Sequence, residues 1–132
     1  MKVLLALIAA LLLGTCSKQG TVLDRVLAAG ELRVVTRNSP SAYFLGANGP
    51  QGPEFELASR LAAELGVALY IYPVATVGDV LEEVASGRAH IAAAGLTFGQ
   101  PLPASVAFGP PYQQVKEYLV YRFGGSRPKN LH

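Results

Sequence analysis

Ser86-Gly87-Arg88-Ala89-His90-Ile91-Ala92-Ala93-Ala94-Gly95-Leu96-Thr97 is the stretch on which the fold turns. Ala89 to Ala94 is an apolar run broken only by His90, too short for a helix and bounded by glycines. Such a run reads as a strand buried on both faces. A strand of that kind needs helices over it, so the flanking segments should alternate between strand and helix. Upstream, Val77, Val80, Leu81 and Val84 recur at helical spacing and stop at Ser86-Gly87. Before them, Val67 to Val74 is rich in Val, Ile and Tyr and reads as a strand. Phe55, Ala58, Leu61, Ala62 and Leu65 mark another helix, with Pro53 suited to its first turn and Gly66 to its end. Leu32 to Thr36 is a strand ended by Asn38-Ser39-Pro40, because Pro40 has no N–H for a sheet ladder. A first helix begins near Thr21, carries Val22, Leu23, Val26 and Leu27 on one face, and stops at Gly30. Tyr43 to Leu45 is a brief extended piece before a turn at Ala47-Asn48-Gly49-Pro50. Downstream, Gln114 to Arg122 is a last strand candidate. The predicted fold class is α/β: an open, mostly parallel sheet flanked by helices.

The 132 residues suffice for one modest domain, and the 51% hydrophobic content argues for a packed core. The net charge of +2, with no basic run interleaved with aromatics, gives no footprint for nucleic acid. A single cysteine excludes an internal disulfide. Met1-Lys2 followed by the apolar run Val3 to Leu13 reads as a signal peptide over residues 1–15, a run too short to span a bilayer. Leu13-Gly14-Thr15-Cys16 resembles a bacterial lipobox, with Thr15 where a smaller residue is usual. That resemblance implies a diacylglyceryl group on the Cys16 thiol, a lipidated tether over 16–20 and, with Ser17 next, the periplasmic face of the outer membrane. Ordinary secretion with an incidental Cys16 is the other reading.

Four stretches in order then carry a resemblance. They are Leu23-Asp24-Arg25-Val26-Leu27 through Val34, Gly52-Pro53-Glu54-Phe55-Glu56-Leu57-Ala58, Ser86 through Thr97, and Phe108-Gly109-Pro110-Pro111-Tyr112. Together they resemble the family 3 solute-binding domains, which have the type II periplasmic binding fold. Thr36-Arg37-Asn38-Ser39-Pro40 with Tyr43, the Ala92 to Thr97 stretch, Leu119-Val120-Tyr121-Arg122 and Arg127-Pro128 are similar to one branch, the membrane-bound lytic murein transglycosylases of the F type. The resemblance implies one incomplete lobe over 21–121. Residues 122–132 would form the hinge or crossover toward a missing second lobe, and a lysozyme-like catalytic domain would lie beyond that. The implied parent is a lytic transglycosylase of peptidoglycan. An amino-acid-type ABC transporter's substrate-binding lipoprotein is the alternative. An enzyme on the same two-lobed fold, such as a cyclohexadienyl dehydratase, would need catalytic groups from the second lobe.

In open α/β sheets ligands lie beyond the carboxyl ends of the strands. Those ends make Asn38, Ser39, Tyr43, Gly95 and Thr97 the candidate half-site for a small polar ligand or a peptidoglycan fragment. Asn38, Ser39 and Thr97 would hydrogen-bond, Gly95 would allow close backbone approach, and Tyr43 would stack. The other reading makes Asn38 and Ser39 a plain turn and Thr97 a loop cap. Amino-acid-binding members carry an Arg shortly after the Thr97 equivalent. Here Phe98-Gly99-Gln100-Pro101-Leu102-Pro103 has none, and no other side chain there gives a bidentate carboxylate contact. No catalytic residue is expected in this chain: no Glu precedes a Ser, and the Glu54/Glu56 and Glu82/Glu83 pairs read as solvated surface. His90 and His132 lack a ligand pattern for metal, so His90 reads as a core or edge residue. The glycines form no phosphate-binding fingerprint, and no cofactor is expected.

Overall fold

A computed structural model describes residues 20–116, 118, 120 and 122–125. The apolar run Val3 to Leu13, the lipobox with Cys16, and the chain beyond Gly125 lie outside the described residues.

Among the described residues, three helices and five strands follow the expected alternation. Helix α1 spans Val22–Ala29, strand β1 Glu31–Arg37, β2 Phe44–Gly46, β3 Gly49–Gln51, α2 Pro53–Leu65, β4 Ala68–Val74, α3 Val77–Ala85 and β5 Ile91–Ala93. The helix starts are written locally. Thr21 and Thr76 each accept from the backbone N–H three residues on, while Asp24 and Asp79 reach back to the cap residue's own N–H. α2 starts on Pro53 and stops where Gly66 turns left-handed.

The main sheet has the order β4-β1-β5 with both pairings parallel. β1 sits in the middle, aligned over its whole length with β4 and through Val34 to Thr36 with β5. Val34, Val35 and Thr36 are completely buried. On one face Leu32 and Val34 pack with Val26 of α1 and with Ala58 and Ala62 of α2. On the other Val35 packs with Val80 of α3, Ala89 and Ala94. Thr36 fits the interior because its hydroxyl donates to the Ala93 carbonyl, and among the described residues no buried side-chain polar atom is left unpaired.

Four features depart from the expected pattern. Strand β5 is only Ile91–Ala93 and is half-buried; full burial is confined to Ala89 and Ala94 at its flanks. It lies at the edge of the three-stranded sheet, where one side of the ladder has no partner among the described residues. The expected strand over Gln114 to Arg122 does not form among the described residues, and Val115, Tyr118 and Val120 are exposed there. Apolar alternation favours a strand only when a neighbour supplies the ladder, and none is at hand. The turn at 47–48 closes a hairpin of β2 and β3 that sequence patterning did not announce, because β3 is Gly-Pro-Gln. Finally, α1 buries only Val26, while Val22, Leu23 and Leu27 remain about half exposed.

Candidate functional site

The first turn of α2 organises the carboxyl end of the sheet. Two residues beyond the last aligned pair, Thr36 with Ala93, stand Asn38 and Gly95. Each opens a loop, and each loop is fastened to the start of α2. After β1 the chain folds back at once: the Ser39 N–H donates to the Tyr43 carbonyl at 2.8 Å and the Ala42 N–H to the Ser39 carbonyl at 3.1 Å. The Phe55 N–H of α2 then donates to the Ala42 carbonyl at 3.3 Å. This approach requires Gly52. Its φ is +129°, and a Cβ there would stand 2.3 Å from the Ala42 oxygen, so only glycine fits.

The loop after β5 is held by Glu54. Glu54 is 3% exposed, and its carboxylate accepts the Gly95 N–H on both oxygens, at 2.9 and 2.8 Å. The same carboxylate accepts the Tyr112 hydroxyl. A buried carboxylate is tolerated only with such partners, and the helix N-terminus adds favourable dipole. The solvated-surface reading of Glu54 is therefore corrected. It holds for Glu56 and Glu82, which are exposed, but Glu83 is half-buried under Tyr72 and Arg88. The available signal was position: Glu54 follows Gly-Pro at the second residue of a helix, where an acidic side chain turns back toward the preceding loop. Desolvation of its hydroxyl end, and then the bond to Glu54, push Tyr112 up to about 12.

The five site residues are placed as follows. Asn38 is exposed and Ser39 half-buried, both bridged to the Tyr43 backbone. The Ser39 and Ser41 hydroxyls lie 3.2 Å apart. A Cβ on Gly95 would be 4.0 Å from the Ser41 oxygen, so the two loops face each other closely. Ser41 is the hydroxyl that sequence reading passed over. Thr97, two residues beyond Gly95, is exposed. Tyr43 is drawn inward instead: it is 8% exposed, with its ring edge-on to Phe55 at 6.1 Å. It forms a wall under the loop. Gly95, with φ +67°, has its N–H committed to Glu54.

His90 lies at the opposite end of the sheet. Its Nδ1 accepts the Arg33 N–H at 3.0 Å, and its own N–H donates to the Arg33 carbonyl at 2.9 Å. Burial and the nearby Arg33 and Arg25 charges hold the ring below its usual pKa. It extends the β1–β5 ladder as an edge residue, as its sequence context suggested.

The profile of the bacterial extracellular solute-binding proteins, family 3, matches residues 32–128. The chain belongs to that family. It is 40% identical over 113 residues to a membrane-bound lytic murein transglycosylase F from Serratia proteamaculans, covering 86% of this chain and 23% of that protein. It is 43% identical over 109 residues to the Yersinia enterocolitica protein of the same name, covering 83% and 22%. The chain thus spans about a quarter of the length of these curated relatives. Among solved structures it resembles an ancestral cationic amino acid solute-binding protein, with TM-score 0.54 and 32% identity over 59% of this chain and 34% of that one. It also resembles arginine-bound domain 1 of ArgBP from T. maritima, with TM-score 0.54 and 25% identity over 59% of this chain and 61% of that domain. The fold is that of one lobe of a type II periplasmic solute-binding protein, homologous to the N-terminal region of the transglycosylases.

Proposed function

We propose that this chain is the solute-binding-like regulatory domain of a peptidoglycan lytic transglycosylase, exported to the cell envelope, and that it supplies no catalytic residue of its own. The observation that carries the reading is the identity of about 40% to transglycosylase relatives across most of this chain, joined to loops that converge at the sheet's carboxyl end. The ligand of this half-site is a small polar molecule, an amino acid or a peptidoglycan fragment. Asn38, Ser39 and Thr97 provide its hydrogen bonds, the open backbone of Gly95 lets it approach, and Tyr43 backs the loop beneath it. Residues 21–121 make up the lobe, and 122–132 lead toward a second lobe in the longer protein. Residues 1–15 act as a signal peptide. Cys16 carries the lipid, and the tether 16–20 holds the lobe at the periplasmic face of the outer membrane. Several acyl chains, each buried methylene contributing about 0.8 kcal/mol, make such an anchor firm.

Calorimetric titration of the full chain with basic amino acids and with soluble muropeptides tests binding. Heat from either ligand that is reduced in Asn38→Ala and Thr97→Ala supports the site; no heat from both removes it. Release of anhydromuramyl products from sacculi by this chain alone would refute the absence of catalytic groups. A free Cys16 thiol in the mature protein would refute the anchor.

An amino-acid-type ABC transporter lipoprotein is the second reading. Its support is the 32% identity to an ancestral cationic amino acid solute-binding protein. Against it stands the stretch Phe98 to Pro103, which has no arginine to clamp a carboxylate.

A further inference from the structure

From Ala94 to Lys116 runs a long stretch without helix or strand. Loops of such length inside compact domains are usually functional or linkers. This one is closed at its base. Gly95 opens it, Tyr112 returns to its start, and one carboxylate, Glu54, accepts from both. Across the loop Phe98 and Phe108 pair with ring centroids 5.3 Å apart. Glu54 itself is buried on the first turn of α2, the turn that also holds the loop after β1 through Phe55 and Ala42.

An ionised carboxylate only accepts hydrogen bonds. Here both oxygens face the Gly95 N–H and one of them also takes the Tyr112 hydroxyl. Removal of either donor leaves a buried charge short of a partner, a costly state that draws in water or turns the side chain out. The two contacts therefore support each other. We infer that Glu54 is a positioning residue that clasps the loop from Gly95 to Tyr112, so that the ligand-facing end at Gly95 and the outgoing segment at Tyr112 are released or held together. The purpose of the clasp rests on the ligand reading above: a ligand that settles on Gly95 and Thr97 would steady the outgoing segment, and the reverse.

Reciprocal variants test the coupling in the full chain without ligand. Two readouts are used: hydrogen exchange of the Gly95 amide, and the rate of tryptic cleavage after Lys116, with the Val35 amide of β1 as internal reference. Tyr112→Phe alters only the outgoing segment, yet Gly95 exchange should rise at least about tenfold, the ratio expected for losing one hydrogen bond to a charged group. Glu54→Gln should speed both Gly95 exchange and cleavage after Lys116. Val35 exchange should stay within about twofold in each, since the clasp lies outside the sheet core. An unchanged Gly95 amide in Tyr112→Phe overturns the inference. So does a rise at Val35 equal to that at Gly95, which would mean general destabilisation. If Glu54→Gln does not fold, Tyr112→Phe decides alone. Because no ligand enters these measurements, failure of the clasp leaves the calorimetric test of ligand binding untouched, and failure of ligand binding leaves the clasp untouched.

Discussion

Residues Thr21 to Ala94 and residues Gly95 to Gly125 are both rich in apolar side chains, yet they end in opposite states. In the first, Val34 and Val35 are completely buried between helices. In the second, Phe98, Val115, Tyr118, Val120 and Phe123 are all more than half exposed. The difference is the hydrogen-bonded ladder. β1 has a parallel partner on each side, so its backbone groups are satisfied and its side chains are presented to two cores. The later stretch has no such partner among the described residues and is tied back through the Tyr112 hydroxyl. Apolar composition supplies a driving force, but pairing decides where that force can act.

The hardest way to break the ordered half is at its tightest backbone contact. Gly52→Ala places a Cβ against the Ala42 carbonyl and forces a left-handed residue into a strained conformation. Strain of this kind and the clash together should cost about 3 kcal/mol or more, read as a lowered midpoint in urea. A loss below about 1 kcal/mol would show that the loop after β1 shifts freely, and the ordered half would then be smaller than described.

The contrast itself is measured by one pair of truncations. Val34→Ala in β1 should cost about 2 to 3 kcal/mol, since it removes buried methyls and leaves a cavity. Val120→Ala, at 90% exposure, should stay within about 0.5 kcal/mol. Equal losses in the two variants would mean that the later stretch packs in solution, and the comparison would fail.

The two halves also differed in how legible they were. Every element of the ordered half except the β2–β3 hairpin could be read from spacing and punctuation: Thr21 and Pro53 at helix starts, Gly30, Gly66 and Ser86-Gly87 after helices, Val-rich runs between. The hairpin was hidden because Gly49-Pro50-Gln51 lacks any strand signal. The last strand was over-read because Val115, Tyr118 and Val120 have the right residue types, and a sequence carries no statement about which neighbour is available. At the candidate site, the placement of Asn38 and Gly95 just beyond β1 and β5 was legible from the strand pattern. Glu54 was not, because burial of a carboxylate depends on donors at Gly95 and Tyr112, both far away in sequence. Tyr43 was expected to stack on a ligand, but it is buried edge-on to Phe55.

Helix starts give a smaller, independent check on the ordered half. Thr21→Ala and Thr76→Ala each remove the acceptor for an orphan N–H. Each should cost about 1 kcal/mol. Because the two caps lie on separate helices, the double variant should lose close to the sum. A double variant that loses no more than one single would mean that one of these helices does not contribute to the cooperative unit.

The smallest expected effect lies where the β1–β5 ladder runs out at His90. In the folded chain Nδ1 accepts the Arg33 N–H, so the neutral ring is the form that fits. Burial, with Arg33 and Arg25 close by, lowers its pKa, opposed weakly by Glu31. The unfolded chain therefore binds this proton more readily than the folded one. By linkage, the stabilisation is fully present above the unfolded pKa of about 6.5 and fades as pH falls through the folded value. Stability should fall between pH 7 and pH 5, and His90→Asn should flatten that fall, because the amide oxygen still accepts the Arg33 N–H and does not titrate. The measurement is the urea midpoint of both proteins across that range. An unaltered pH slope in His90→Asn would assign the titration elsewhere.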